Sequence, residues 1–249
     1  MSGHSKWSTI KRQKGKLDAE RGKIFTRLTK EIAVAAREGG GNPDTNARLR
    51  TAIAAGKAAN MPSDNIKRSI QKGTGELPGV KYESVVYEGY GPGGVAIMLY
   101  VMTDNKNRTV AEIRHMLTKW GGNLGANGCV AWMFEQKGIV TVEKSAATET
   151  KLMEAALDAG AEDITGESGA FEVVTPPDVL ETVQQAIETS GIKIVSAEIT
   201  MQPGSMVKLT TEKDANAMLR LYEGLEELDE VQKVYANFDI DESLLEKVA

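Results

Sequence analysis

The chain changes character at residues 73–82, GTGELPGVKY, and this break constrains the fold more than any other feature. Before it, apolar residues recur at helical spacing, alanine is frequent and basic side chains dominate. After it, short β-branched and aromatic runs alternate with helical stretches, and acids take over. One pattern cannot serve both halves, so the chain must hold separately built units. Residues 1–72 carry 16 lysines and arginines against 6 acids, whereas residues 73–249 carry 14 against 29. The net charge of −5 conceals a cationic head on an anionic body. Such a head neutralises phosphates and releases counterions, while the body is repelled from the same polyanion and limits how far it wraps.

Within the head, residues 1–16 (MSGHSKWSTIKRQKGK) hold Lys6, Lys11, Arg12, Lys14 and Lys16 without an acid. Their weak periodicity predicts a basic flexible arm, with Trp7 either stacking on a base or packing on the first helix. From Leu17 to about Glu38, Ile24, Leu28, Ile32 and Ala36 recur every four residues and predict a helix. Arg21 precedes Lys23, Arg27 and Lys30, which share a different face of that helix. Gly39–Gly41 stop it, and Asn42-Pro43 predicts the cap and first position of a second helix running to about Ala59. That helix carries Arg48, Arg50 and Lys57. Pro62 opens a third, Ser63 to Lys72, bearing Lys67 and Arg68 and closed by Gly73. The expectation for residues 17–80 is a three-helix bundle with a small, alanine-rich core.

The body reads as α+β. Strands are expected at Ser84–Glu88 and Val95–Met102 around the turn Gly89–Gly94. A helix follows from about Val110 to Trp120, begun by a Thr109–Glu112 capping box, and then a strand from Cys129 to Glu135. Residues 139–199 give strand 139–143, helix 149–159, strands 162–167 and 170–174, helix 177–189 and strand 192–199. That β-α-β-β-α-β order is the split-βαβ, ferredoxin-like pattern. Strand 206–210, helix 212–226 and strand 231–238 complete a second such set with the elements before residue 136. The expected fold is thus an N-terminal three-helix domain followed by two α/β domains of split-βαβ type, one inserted into the other. Residues 137–203 form the insert, and residues 81–136 with 204–249 form its host.

Enzymatic chemistry finds little support. Cys129 is the only cysteine and His4 and His115 are the only histidines, which removes disulfide frameworks and cysteine-rich zinc sites. His115 has no convergent carboxylate pair, and His4 lies in the arm without a scaffold. GYGPGG at 89–94 falls between two strands and lacks the Gly-Lys-Ser/Thr of a phosphate loop. GGNLGANG at 121–128 reads either as a backbone anion nest or as a helix exit and turn. No catalytic residue, metal or cofactor is expected. Apolar runs are shorter than the roughly 17–25 residues of a membrane span, so the expected setting is cytoplasmic, without a membrane partner.

GHSKWSTIKRQKGKLDAERGKIFTRLTKEIAVAAREGGGNPDTNARLRTAI closely resembles the start of the YebC/PmpR family. NMPSDNIKRSIQKGTG, YEGYGPGGVAIM, TDNKNRT and GGNLGANGCVAWMF extend the likeness through residues 3–134. The resemblance implies a helical N-terminal domain, two α/β domains and no enzymatic activity. It also implies a bacterial-type cytoplasmic DNA-binding regulator of transcription. Some members, including mitochondrial translational activators, are tied instead to the ribosome and to difficult peptide bonds at proline stretches. The family-type head maps onto Gly3, His4, Ser5, Lys6 and Trp7, then Lys11, Arg12, Lys14 and Lys16. The expected partner is therefore DNA or ribosomal RNA, bound by a monomer or weak dimer, and a third reading is a protein-interaction scaffold built on the acidic body.

Overall fold

The structure, a computed structural model, describes residues 17–167 and 169–248. The expected arm lies outside them. Three helices come first: α1 (Leu17–Gly39), α2 (Ala47–Ala58) and α3 (Ser63–Thr74). Ile32, Ala35, Ala36, Leu49, Ala52, Met61 and Ile66 are buried between them, a core of small volume as the alanine content requires.

Two helix ends differ from expectation. The second helix is capped by Asn46, not Asn42: Asn46 Oδ1 accepts from the Leu49 N–H at 3.0 Å. The same buried amide donates to the carbonyls of Ala35 and Gly40, each at 2.8 Å, tying the end of α1 to the start of α2. Asn42 instead closes a local turn, accepting from the Asp44 N–H. The third helix passes through Gly73 and ends at Gly75, whose φ of 85° suits the left-handed C-terminal position. Gly73 serves packing, since a Cβ there would lie 2.3 Å from the Ala33 carbonyl oxygen of α1.

The body begins with a hairpin of β1 (Glu83–Tyr90) and β2 (Ala96–Thr103), closed where the Gly91 N–H meets the Val95 carbonyl at 2.8 Å. Next come α4 (Lys106–Lys119), β3 (Asn123–Leu124), and the inserted elements β4 (Phe134–Glu143), α5 (Glu149–Leu157), β5 (Asp163–Glu167), β6 (Ala170–Thr175), α6 (Leu180–Thr189) and β7 (Ile194–Pro203). The chain returns through β8 (Val207–Leu209), α7 (Glu212–Glu227), β9 (Val231–Ala236), β10 (Phe238–Ile240) and α8 (Glu242–Val248). Helix α4 starts earlier than its predicted capping box. Asn105 caps it, and Thr109 is buried one turn in, 2.8 Å from the Thr103 hydroxyl.

The inserted sheet has the antiparallel order β5-β6-β4-β7. Counted within the insert this is second-third-first-fourth, the ferredoxin-like arrangement, with α5 and α6 on the face that buries Val140, Val142, Val173, Val183 and Ile187. Of the strand expected at 129–135 only residues 134–135 are strand, and they run without interruption into the one expected at 139–143 as β4, because Gly138 marks a close approach rather than a break. A Cβ there would lie 2.3 Å from Thr175 Oγ1. Residues 131–133 form a short 3₁₀ turn ahead of it.

The host sheet has the order β3-β1-β2-β9 and reaches the same spatial plan by a different route. Strands β2, β3 and β9 hold the first, second and fourth places, but the third is filled by β1 from earlier in the chain. The expected strand at 206–210 pairs instead as β8 with β10, in parallel. A hairpin with register from Glu83–Thr103 to Tyr90–Ala96 forms locally, whereas residues 206–210 would have to return across the whole insert. Helices α4 and α7 cover one face, burying Ile97, Leu99, Ile113, Leu117, Met218, Leu221 and Tyr222.

Candidate nucleic-acid interface

The basic stripe of α1 faces the body. The Arg27 guanidinium donates to the main-chain carbonyl of Glu226 in the last turn of α7. Lys30, only 7% exposed, donates to the Asp229 carbonyl at 2.8 Å and stands 5.4 Å from the centre of the Tyr82 ring. Burial pushes its ammonium below the usual lysine range, opposed by the negative charges of Glu230, Asp229 and Asp104. Carbonyls at a helix C-terminus lack helical partners and carry partial negative charge, so they accept cations well. Arg27 and Lys30 are therefore docking residues: a phosphate could take them only by parting head from body. Residues 73–82, where the chain changes character, also contribute here through Tyr82.

The remaining basic candidates divide by what already holds them. Arg48 is bound by Glu31 at 2.8 Å and Glu38 at 2.5 Å, and its hydrogen bond to Glu31 lifts the guanidinium above its usual range. Arg50 donates to the carbonyls of Pro43 at 3.0 Å and Asp44 at 3.4 Å. Lys23 is half-buried. Lys57, Lys67 and Arg68 are exposed and form no ion pair among the described residues. Lys57 lies in the last turn of α2, and Lys67 and Arg68 lie in the second turn of α3, so these three candidates flank the α2–α3 turn. Arg37, Lys72 and Lys81 are also exposed. Sequence reasoning misses these three, and only their residue type and, for Arg37 and Lys72, a place in the basic head could have marked them. His4, Ser5, Lys6, Trp7, Lys11, Arg12, Lys14 and Lys16 lie outside the described residues, and of Arg21 only its place in α1 is described.

The glycine-rich stretch at 121–128 is mostly the helix exit and a turn, with the Gly121 and Gly122 N–H groups bonding back to Thr118 and Leu117. An anion nest forms only at its end and just beyond, around an anion that belongs to the protein. Glu88, a buried residue of β1, accepts from the N–H groups of Gly128 at 2.7 Å and of Val130 and Ala131 at 2.8 Å each. Burial raises its carboxyl, and the three backbone donors outweigh that, leaving it below the ordinary value. The glycines let the loop lie against β1: a Cβ at Gly122 would sit 2.4 Å from the Tyr90 carbonyl oxygen. GYGPGG is the hairpin turn, with φ of 70° at Gly93 and 79° at Gly94.

The catalytic candidates stay apart. His115 is exposed on α4. Burial and the nearby Glu88 charge push the Cys129 thiol up, opposite to what a nucleophilic thiolate needs. Among the described residues no group of three or more His, Cys, Asp or Glu side chains is placed to hold a metal ion. No described helix is long and apolar enough to cross a membrane.

A basic three-helix head, tied to a body of two antiparallel sheets with one inserted in the other, defines the class of chain. The family model for the TACO1/YebC N-terminal domain matches residues 5–76, and that for the TACO1/YebC second and third domain matches residues 82–238. The chain belongs to the TACO1/YebC family. It is 58% identical over the full length of both chains to a protein of Desulfotalea psychrophila named probable transcriptional regulatory protein. A protein of the same description from Geobacter sulfurreducens is 55% identical, again across all of both chains. The crystal structure of a conserved hypothetical protein, Aq1575 from Aquifex aeolicus, superposes with a TM-score of 0.80 at 50% identity, covering 91% of this chain and 93% of that one.

Proposed function

We propose that this protein is a non-enzymatic, cytoplasmic regulator of gene expression that grips nucleic acid through its basic head. The arm, with His4, Ser5, Lys6, Trp7, Lys11, Arg12, Lys14 and Lys16, runs along the phosphate backbone, and Lys57, Lys67 and Arg68 anchor the bundle beside it. The observation that carries this reading is the sorting of cations. Arg27 and Lys30 bind the head to an acidic body, while Lys57, Lys67 and Arg68 stay unpaired among the described residues and open to solvent. The body, divided into residues 81–136 with 204–249 and the insert 137–203, repels the polyanion and orients the head. Relatives named probable transcriptional regulatory protein support DNA as the first target.

One observation supports ribosomal RNA as the second reading. A base-reading helix needs free side chains along one face, yet on α2 Arg48 is held by Glu31 and Glu38 and Arg50 by loop carbonyls. Contact through phosphates and an arm suits folded RNA at least as well. In-cell ultraviolet crosslinking, followed by sequencing of both attached DNA and attached RNA, separates the two. Discrete promoter DNA that survives RNase establishes the transcriptional reading, and reads piled on a few ribosomal RNA positions establish the translational one. Absence of both overturns the proposal and leaves the acidic body as a protein scaffold.

A further inference from the structure

The loop that leads from β3 toward β4 carries one chemically labile step. Asn127-Gly128 is the only Asn-Gly pair in the chain, and both residues are exposed. An asparagine sheds its side-chain amide most readily before glycine, where no Cβ shields the main-chain nitrogen that attacks it. Here the way is open: a Cβ at Gly128 would meet nothing within 4 Å, and the Asn127 amide makes no hydrogen bond among the described residues. The reaction is internal. The Gly128 nitrogen gives up its proton and bonds to the Asn127 side-chain carbonyl carbon, and the amide nitrogen leaves as ammonia. Water then opens the resulting cyclic imide at either carbonyl, leaving aspartate or isoaspartate.

The fold withholds the attacking atom. The Gly128 N–H donates to Glu88 Oε1 at 2.7 Å, and the same carboxylate holds the N–H groups of Val130 and Ala131. Glu88 is itself anchored, buried in β1 opposite Met98 of β2, with its main-chain carbonyl accepting from the Gly125 N–H at 2.8 Å. A hydrogen bond to a carboxylate is about twice as strong as a neutral one and must break before the nitrogen turns toward Asn127. Removing the proton would also set a second negative charge beside the first, which makes its loss harder. A carboxylate is far too weak a base to take an amide proton, so the contact stabilises the N–H and does not activate it. We propose that Asn127 is a latent deamidation site, kept intact in the folded protein by the grip of Glu88 on the Gly128 N–H. The product cannot restore the nest: it carries a new carboxylate next to the residue that Glu88 must hold, and the isoaspartate form lengthens the main chain by one carbon. Residues 128–134 lead the chain from the host sheet into β4, and Val130 and Phe134 pack with Met98 and Tyr235. Modification therefore loosens the junction of host and insert, and leaves a permanent record of local opening.

The test follows the Asn127 peptide of the full-length protein by mass mapping that separates asparagine, aspartate and isoaspartate forms. Wild type, Glu88→Gln, Tyr90→Phe and Asn127→Ala are aged in mildly alkaline buffer, folded and in urea, with circular dichroism confirming the folded samples. In urea, wild type should convert at Asn127, and Asn127→Ala, lacking the amide, identifies the signal. Folded wild type should convert slower than the unfolded chain by about tenfold or more, and folded Glu88→Gln about tenfold faster than folded wild type. Tyr90→Phe removes the hydroxyl that donates to the Cys129 carbonyl at 3.1 Å. It loosens the same loop while leaving the Gly128 N–H on Glu88, and should stay near wild type. Equal rates for Glu88→Gln and Tyr90→Phe overturn the proposal, because loop mobility rather than the carboxylate would then set the rate. Folded wild type converting as fast as the unfolded chain overturns it as well, in a comparison that needs no variant to fold. A chain that stays unconverted in urea has no latent site there.

Discussion

The Lys30 ammonium sits 2.8 Å from the Asp229 carbonyl oxygen, in the seam where α1 of the basic head meets the end of α7 in the acidic body. Arg27, one turn earlier, holds the Glu226 carbonyl. Head and body are therefore joined by specific cation–carbonyl bonds and not merely by opposite net charge. Lys30→Met keeps the aliphatic stem and removes the bond, leaving a buried acceptor without its donor. The expected cost is about 1–3 kcal/mol, read by scanning calorimetry as a head transition separating from that of the body. Small-angle scattering should then show a larger radius of gyration. An unchanged melting profile and radius would show that the seam is held by other interactions.

Glu88 makes a second prediction, with a pH signature. Its folded carboxyl lies below the ordinary value of 4.5, so at acid pH the unfolded chain binds more protons than the folded one. Stability from this group is full above the unfolded value and is lost as pH falls through the folded one. Glu88→Gln removes the charge and places an amide where three N–H groups need acceptors. It should cost about 1–3 kcal/mol at neutral pH and flatten the decline of stability below pH 4.5. Urea unfolding at a series of pH values measures both; parallel curves for the two proteins would show that the carboxylate carries no linkage.

The helices and the inserted sheet could be read from local patterns because those patterns repeat within a few residues. Ile24, Leu28 and Ile32 mark α1, and the β-α-β-β-α-β alternation marks the insert. Non-local choices were not legible. Nothing near residue 85 announces that β1 takes the third place in the host sheet, since that place is set by its antiparallel pairing with β2 and β3 and not by its own pattern. The candidate site divides in the same way. Lys30 and Lys67 are the same residue type on amphipathic helices, yet one is buried against Asp229 and the other faces water. Only the position of α7 separates them. Gly73 shows the same ambiguity: a glycine near a helix end signals either a stop or a close approach, and here it is the approach to Ala33.

That approach gives a third prediction. A methyl group at residue 73 would meet backbone, the Ala33 carbonyl, which cannot swing aside as a side chain can. Gly73→Ala gains helix propensity worth about 1 kcal/mol but forces α1 and α3 apart, with an overpacking cost of about 1–3 kcal/mol. The core between them is small and built largely from alanines and isoleucines, so it has little slack. The net effect should be destabilising and confined to the head, with amide exchange accelerated in α1 and α3 and unchanged in the inserted sheet. Gly75→Ala, at φ 85°, should also destabilise, but through the helix end alone.

The sorting of head cations is tested by comparing charges that differ only in their partners. Lys67 and Arg68 are exposed and make no ion pair among the described residues, whereas Arg48 is held by Glu31 and Glu38. If Lys67 and Arg68 touch phosphates, Lys67→Ala with Arg68→Ala should weaken binding. The slope of log affinity against log salt should fall by about 0.9 for each duplex phosphate that is no longer neutralised. Arg48→Gln removes the same kind of charge from a site already occupied by carboxylates. It should leave the slope unchanged and cost stability by no more than about 1 kcal/mol, because the pair is half exposed and screened. Lys30→Met should resemble Arg48→Gln in salt dependence while resembling neither in melting. Equal slopes for all the variants would mean that the head contributes only a diffuse field, and that the specific phosphate interactions belong to the arm.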